Sequence, residues 1–268
     1  MAEFDFFLYA AAVLAPGLSS LAQLRAIASG AEAYAHAPLA LPAPAMLPAQ
    51  ERRRASQAVR LVLACIEQAL QGSPFPAATL RPVFAADEGT GEVSVQMLEA
   101  LATTRQVSPL VFSNSVLNAP SGYFSIAWGN REPATVVSLG LESFASGLLC
   151  AVVEARATGA PVLLVNYDPV MTAPMNEQLP IADAMASAWV IGCGPSEVSA
   201  LASFSVALDA RGDAQASALP DWMPAPWSQQ ASAAGVAALA LLESPAGTQR
   251  RLPLGAQMLT LRRQEIPA

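Results

Sequence analysis

The side chains most able to do chemistry are scarce here. The chain has one histidine, His36, three cysteines (Cys65, Cys150 and Cys193) and no lysine, so all 14 basic residues are arginines. Without a lysine amine, Schiff-base chemistry and a P-loop are both excluded. A mechanism needing two imidazoles cannot be assembled within this chain. The cysteines are widely spaced, with neither a CxxC nor an HExxH pattern, which argues against a zinc site. Each reads as a small buried hydrophobe, and the set suits a reducing compartment. A Ser-His-Asp hydrolase would need His36 as its base, yet that residue sits in an Ala/Pro segment and no G-x-S-x-G elbow occurs. Gly192-Cys193-Gly194-Pro195 lacks the third glycine of a dinucleotide fingerprint and reads as a turn.

Two further groups stand out. Glu142 falls where a buried strand meets the start of a helix, where the dipole favours a negative charge; it reads first as a stabiliser of that helix end. Arg52-Arg53-Arg54 is the densest basic cluster, placed near the start of a predicted helix where cations are unfavourable to the dipole. It reads as a solvated face or as a contact for an acidic partner or a phosphate.

These residues need elements to hold them. An apolar run over Phe4–Val13, ended by Pro16-Gly17, predicts a buried first strand, and a short helix follows, closing near Gly30. Recurrent prolines make residues 35–48 a loop. Val59, Val62, Leu63, Ile66 and Leu70 form one apolar stripe, which predicts a helix over 49–70, stopped by Gly72-Ser73-Pro74. A strand is expected over 82–86 and helices over 93–102, 113–129 and 142–158. The β-branched run 134–139 and the fully apolar run 161–165 are strands, the latter in a central parallel position. Strands at 184–191 and 204–208, a proline-rich loop over 211–229, a helix over 231–242 and a closing strand over 252–261 complete the reading. Alternating strands and helices predict an α/β layered sheet.

At 268 residues, with 53% hydrophobic and 13% charged, the chain is long enough for a substantial core and too apolar for general disorder. A net charge of −7 argues against a nucleic-acid partner. Met1–Asp5 carries two acids rather than a basic leader, and the apolar stretch over 6–22 is too short and broken to span a bilayer, so a soluble cytoplasmic protein is expected.

From Ser113 the residues carry a resemblance. The stretch S-N-S-V-L-N-A-P-S-G-Y-F-S-I-A-W-G, the strand A-T-V-V-S-L-G and the segment L-E-S-F-A-S-G-L-L resemble the nucleophile region of β-ketoacyl synthases. L-P-A-Q-E-R-R-R-A-S-Q-A-V-R-L-V-L is similar to an early helix of those enzymes, and V-F-A-A-D-E-G-T-G to the strand and turn after it. The similarity runs in order from residue 1 to 168 and is nearest to the short ketosynthase-like proteins of aryl polyene and related type II polyketide pathways, which resemble chain-length factors.

The resemblance implies a thiolase-like α/β fold, a mixed sheet flanked by helices. Residues 1–168 would be the ketosynthase-like core, with 169–268 a reduced C-terminal part packing on the same domain. It places the family's active cysteine on Leu141, or on Phe144 in another register, with Glu142 and Ser143 adjacent. Neither residue is a nucleophile, and the family's two histidines have no counterpart. The implied function is a non-catalytic subunit pairing with an active ketosynthase and shaping its acyl tunnel, with decarboxylative elongation on an acyl carrier protein. Strand 134–140 would pair with its counterpart in the partner. Asn118, Ala119, Pro120, Tyr123, Phe124, Trp128, Val136 and Ser138 would lie at the tunnel or interface, with Leu141 and Phe144 plugging the vestigial pocket and Arg52, Arg53 and Arg54 as a carrier-protein contact. No cofactor or metal is expected in this chain; the phosphopantetheine arm arrives with the carrier protein. A large apolar interface would explain a mean hydropathy of +0.39. The rival reading is a stand-alone protein holding an acyl group in the old pocket; a third is a minor hydrolase using Ser143 or Ser146.

Overall fold

The computed structural model describes residues 3–194, 198–212 and 214–266. One eight-stranded sheet organises the chain, in the order β3-β2-β4-β5-β1-β6-β8-β7. Its strands are β1 (Glu3–Leu14), β2 (Arg81–Ala85), β3 (Thr135–Val137), β4 (Val162–Asp168), β5 (Met185–Gly192), β6 (Ala202–Ala210), β7 (Gln249–Leu254) and β8 (Gln257–Gln264). Strands β3, β2 and β4 are parallel, and every other pairing is antiparallel. The expected central parallel position of β4 is therefore half right: it is parallel to β2 and antiparallel to β5.

The helices are α1 (Leu21–Ala28), α2 (Ala49–Arg54), α3 (Gln57–Gln71), α4 (Glu92–Thr103), α5 (Pro109–Asn114), α6 (Ala119–Trp128), α7 (Ser143–Thr158) and α8 (Ala231–Leu239). On one face of the sheet α1, α7 and α8 pack against Phe6, Trp189 and Phe204. On the other, α3 and α6 pack against Phe84, Val165 and Val190. Strands β4 and β5 are buried along their whole length because both faces are covered, which explains their continuous apolar runs. In β1 the successive residues Tyr9 and Ala10 both face the α3 side, a reversal produced by a bulge after Leu8. Residues beyond Asp168 add β5, β6, β7, β8 and α8 to the same sheet rather than building another.

Three elements depart from the sequence reading. The helix expected over 49–70 breaks at Ala55-Ser56, because the Ser56 hydroxyl accepts the Val59 N–H at 3.3 Å and starts α3 afresh. Arg52, Arg53 and Arg54 thereby stand in the last turn of α2, where the dipole favours cations, reversing the expected penalty. The helix expected over 113–129 is two, since Pro120 lacks an N–H and is accommodated only in the first turn of α6. The single closing strand is a hairpin, β7 and β8, joined by a two-residue turn whose Gly255 has φ +59°. Of the expected turn over 192–195, Gly192 ends β5 and Pro195 lies outside the described residues.

Candidate functional site

The sheet has two edges, and they are built differently. Edge strand β7 carries Arg250, Arg251 and Pro253, charges and a missing N–H of the kind that discourages further pairing. Edge strand β3 lies in an uncharged stretch from Ala134 to Leu141 and continues into a tight turn that opens α7. In that turn Gly140 adopts φ +58°, and the flanking Leu139 and Leu141 are each 55% exposed. Other elements also expose large apolar side chains: Leu98 and Leu101 on α4, Leu110 and Phe112 on α5, and Ile126 on α6.

The turn is held firmly from below. Ser143 Oγ accepts the Leu139 N–H at 2.9 Å and lies 2.7 Å from the Gly140 carbonyl and 2.9 Å from that of Ala86, either of which can take its proton. Ser138 Oγ donates to the Asp87 carbonyl. Glu142, beside Leu141 at the start of α7, accepts the Gly255 N–H at 2.7 Å and so ties the β7–β8 turn to the head of that helix. Glu142 is the N-cap residue of α7, the place expected for it, but its side chain caps no amide of that helix and is used in this tertiary bond instead.

Behind the turn the interior is filled. Phe144 is fully buried, with its ring 5.7 Å from that of Trp189. Gly147 lets α7 approach the sheet so closely that a Cβ there would stand 2.6 Å from Ala85 Cβ. Gly235 does the same for α8: a Cβ would meet Ser187 Oγ at 2.5 Å and Asn166 Oδ1 at 2.8 Å. Phe144 is thus a core residue at the junction of two helices and the sheet, not the plug of an open pocket.

The other expected residues divide in the same way. Asn118 and Ser138 are exposed, and Ala119, Tyr123, Trp128 and Val136 are half-buried on the β3–α6 side. Pro120 and Phe124 depart from the expectation: both are buried, and Phe124 packs against Phe84 and Trp128, so this chain's own core already uses its surface. Arg53 and Arg54 are exposed and Arg52 is partly so; Arg54 lies 3.8 Å from Glu51, and its carbonyl accepts from Asn114 Nδ2 at 3.3 Å.

A covalent nucleophile finds little support in these surroundings. Burial pushes the thiols of Cys65, Cys150 and Cys193 above the ordinary range, which holds them protonated. Cys150 stands about 10 Å along α7 from Ser143. His36 lies in the loop before α2, with its Nε2 3.7 Å from Asp183 Oδ1. Among the described residues, no cluster of His, Cys, Asp and Glu could hold a metal ion, and no helix is long and apolar enough to cross a membrane. One buried acid was not anticipated. Asp168, last in β4, accepts backbone N–H groups from Asp87 and Ser232 and has its pKa raised to about 6, chiefly by burial. Its trace in the sequence is an acid ending a strand that begins as the apolar run Val162–Val165.

Comparison with known proteins fits this geometry. Residues 27–244 match the family model of the β-ketoacyl synthase N-terminal domain, and the chain belongs to that family. No curated protein matches it. Among solved structures, one similar chain comes from the complex of the ketosynthase ApeO with its chain length factor ApeC from Xenorhabdus doucetiae, at TM-score 0.71 and 20% identity, covering 97% of this chain and 100% of that one. Another belongs to the ishigamide ketosynthase/chain length factor, at TM-score 0.76 and 12% identity, covering 98% and 100%. A third comes from AntDE:AntF, a type II polyketide synthase acyl-carrier protein in complex with its hexaketide-bound ketosynthase, at TM-score 0.73 and 11% identity, covering 99% and 100%. The mixed sheet flanked by helices is thus the thiolase-like ketosynthase fold.

Proposed function

We propose that this chain is a non-catalytic, chain-length-factor-type subunit that pairs through its β3 edge with an active ketosynthase. The pair would elongate polyene or polyketide chains carried on an acyl carrier protein. The observation that carries the reading is the contrast between the two sheet edges: β7 is guarded by arginines and a proline, whereas β3 is uncharged and flanked by the exposed Leu139 and Leu141. The solved neighbours, drawn from ketosynthase complexes, support it. The partner supplies the nucleophile and both imidazoles; this chain supplies the wall beside the growing acyl chain, from Asn118, Ala119, Tyr123, Trp128, Val136, Ser138 and Leu141. No cofactor is assigned to it, since the phosphopantetheine arm belongs to the carrier protein. Arg52, Arg53 and Arg54 are the proposed carrier contact, and the cytoplasm the proposed compartment.

The filled interior around Phe144 and Gly235 supports pairing over solitary acyl binding in an internal pocket. Co-expression with a ketosynthase from the same genome, followed by co-purification and a carrier-protein elongation assay, tests the reading. Stoichiometric pairing and elongation only by the pair are expected; condensation by this chain alone, or failure to pair, overturns it.

A further inference from the structure

Asp168 is fully buried at the end of β4. Its Oδ1 accepts the Asp87 N–H at 2.9 Å and its Oδ2 accepts the Ser232 N–H, in the first turn of α8, at 2.8 Å. The titratable groups around it are acids and a phenol: Asp87, half-buried in the loop after β2, with Glu88 beside that residue, and Tyr167 next to it in β4. Among the described residues no arginine offsets it. A carboxylate removed from water with neutral donors alone keeps much of its desolvation cost.

What this charge holds is the turn that follows β3. Asp87 takes part in a relay, its N–H donating to Asp168 and its carbonyl accepting from Ser138 Oγ. The preceding residue, Ala86, donates its N–H to the Val137 carbonyl at 3.1 Å, and Ser143 lies against the Ala86 carbonyl. The carboxylate therefore grips the loop of residues 86–91, and through it the turn of residues 138–141 with its exposed leucines.

We propose that Asp168 is a positioning residue for the partner-facing turn, an unpaired buried charge that sets how readily the joint between the 86–91 loop, the 138–141 turn and α8 opens. This rests on the pairing proposed above. Opening the joint hydrates the carboxylate, so ionisation favours the open form and protonation the closed one. With the folded-state pKa near 6 and an ordinary carboxylate value once hydrated, opening is easiest above pH 6 and becomes about a hundredfold rarer towards pH 4. The ordered turn should accordingly pair better on the acid side.

Amide hydrogen exchange on the full chain from pH 4.5 to 7.5, corrected for intrinsic rates, is the test. Protection in residues 86–91 and 138–141 is expected to fall by one to two orders of magnitude as pH rises, while α3 does not follow. Asp168→Asn should flatten that profile and Asp87→Asn should keep most of it, because the Asp87 charge is the smallest influence on Asp168 and the backbone N–H that makes the relay is unchanged. A flat wild-type profile, or a profile unchanged in Asp168→Asn, overturns the proposal; if the variant does not fold, the wild-type series decides. Pairing with the ketosynthase, measured at pH 5.5 and 7.5, separates the two ideas. A pH-dependent joint without pairing leaves the joint standing and removes the partner; pairing with a flat profile does the reverse.

Discussion

Phe144, Gly235 and Asp168 meet where two helices and the sheet converge, and each carries a distinct physical load. Phe144 contributes packing, so Phe144→Ala should cost about 3–5 kcal/mol in denaturant unfolding, as large cavities do. Gly235 contributes absence: Gly235→Ala drives a methyl to within 2.5 Å of Ser187 Oγ, and about 1–3 kcal/mol of destabilisation is expected from overpacking. Asp168 contributes a charge at a cost. Its pKa is raised in the folded state, so the stability linked to it is fully present below about pH 4 and is lost as pH rises through about 6. That amounts to about 3 kcal/mol, and the difference in unfolding free energy between wild type and Asp168→Asn, followed across that window, should show this slope. At this scale the sequence spoke mostly by omission. A lone histidine and the missing lysine removed whole mechanisms, whereas nothing in the order of residues announces that Asp168 has no cation, because a counter-ion is a property of three-dimensional neighbours.

At the scale of the element, periodicity located nearly every strand and helix, and it failed where local capping overrode it. The stripe from Val59 to Leu70 is real, but Ser56 competes with helix propagation and splits the segment. Ser56→Ala should lower stability by about 1 kcal/mol, measured by chemical unfolding. Pro120 split its segment for the complementary reason, a missing donor. The β3 edge was legible as a β-branched run, but its exposure was not, since half-buried and fully buried strands of three residues look alike in sequence. The double variant Leu139→Asp and Leu141→Asp should leave unfolding within about 0.5 kcal/mol of wild type, because both side chains already face water. Its co-purification with the ketosynthase should be abolished, and retained pairing would remove β3 as the contact.

At the scale of the molecule, the layered α/β class was readable from the alternation of elements and the mixed sheet from the family resemblance, whereas the order and pairing of its strands were not. Strand direction depends on which neighbours a strand finds, and β5, from the second part of the chain, inserts between β4 and β1. The arginines of α2 act at this scale, as a positive patch on a chain of net charge −7. Replacing Arg52, Arg53 and Arg54 together with alanine should raise the carrier-protein concentration needed for half-maximal elongation roughly tenfold at low salt, fading as salt rises, with little change in folding stability. The unequal margins of the sheet set a limit on growth. With the pairing proposed for β3 and the arginines and proline of β7, the sheet can be extended once and then terminates. An exposed, sticky strand is in this way compatible with a finite pair instead of an open-ended fibre.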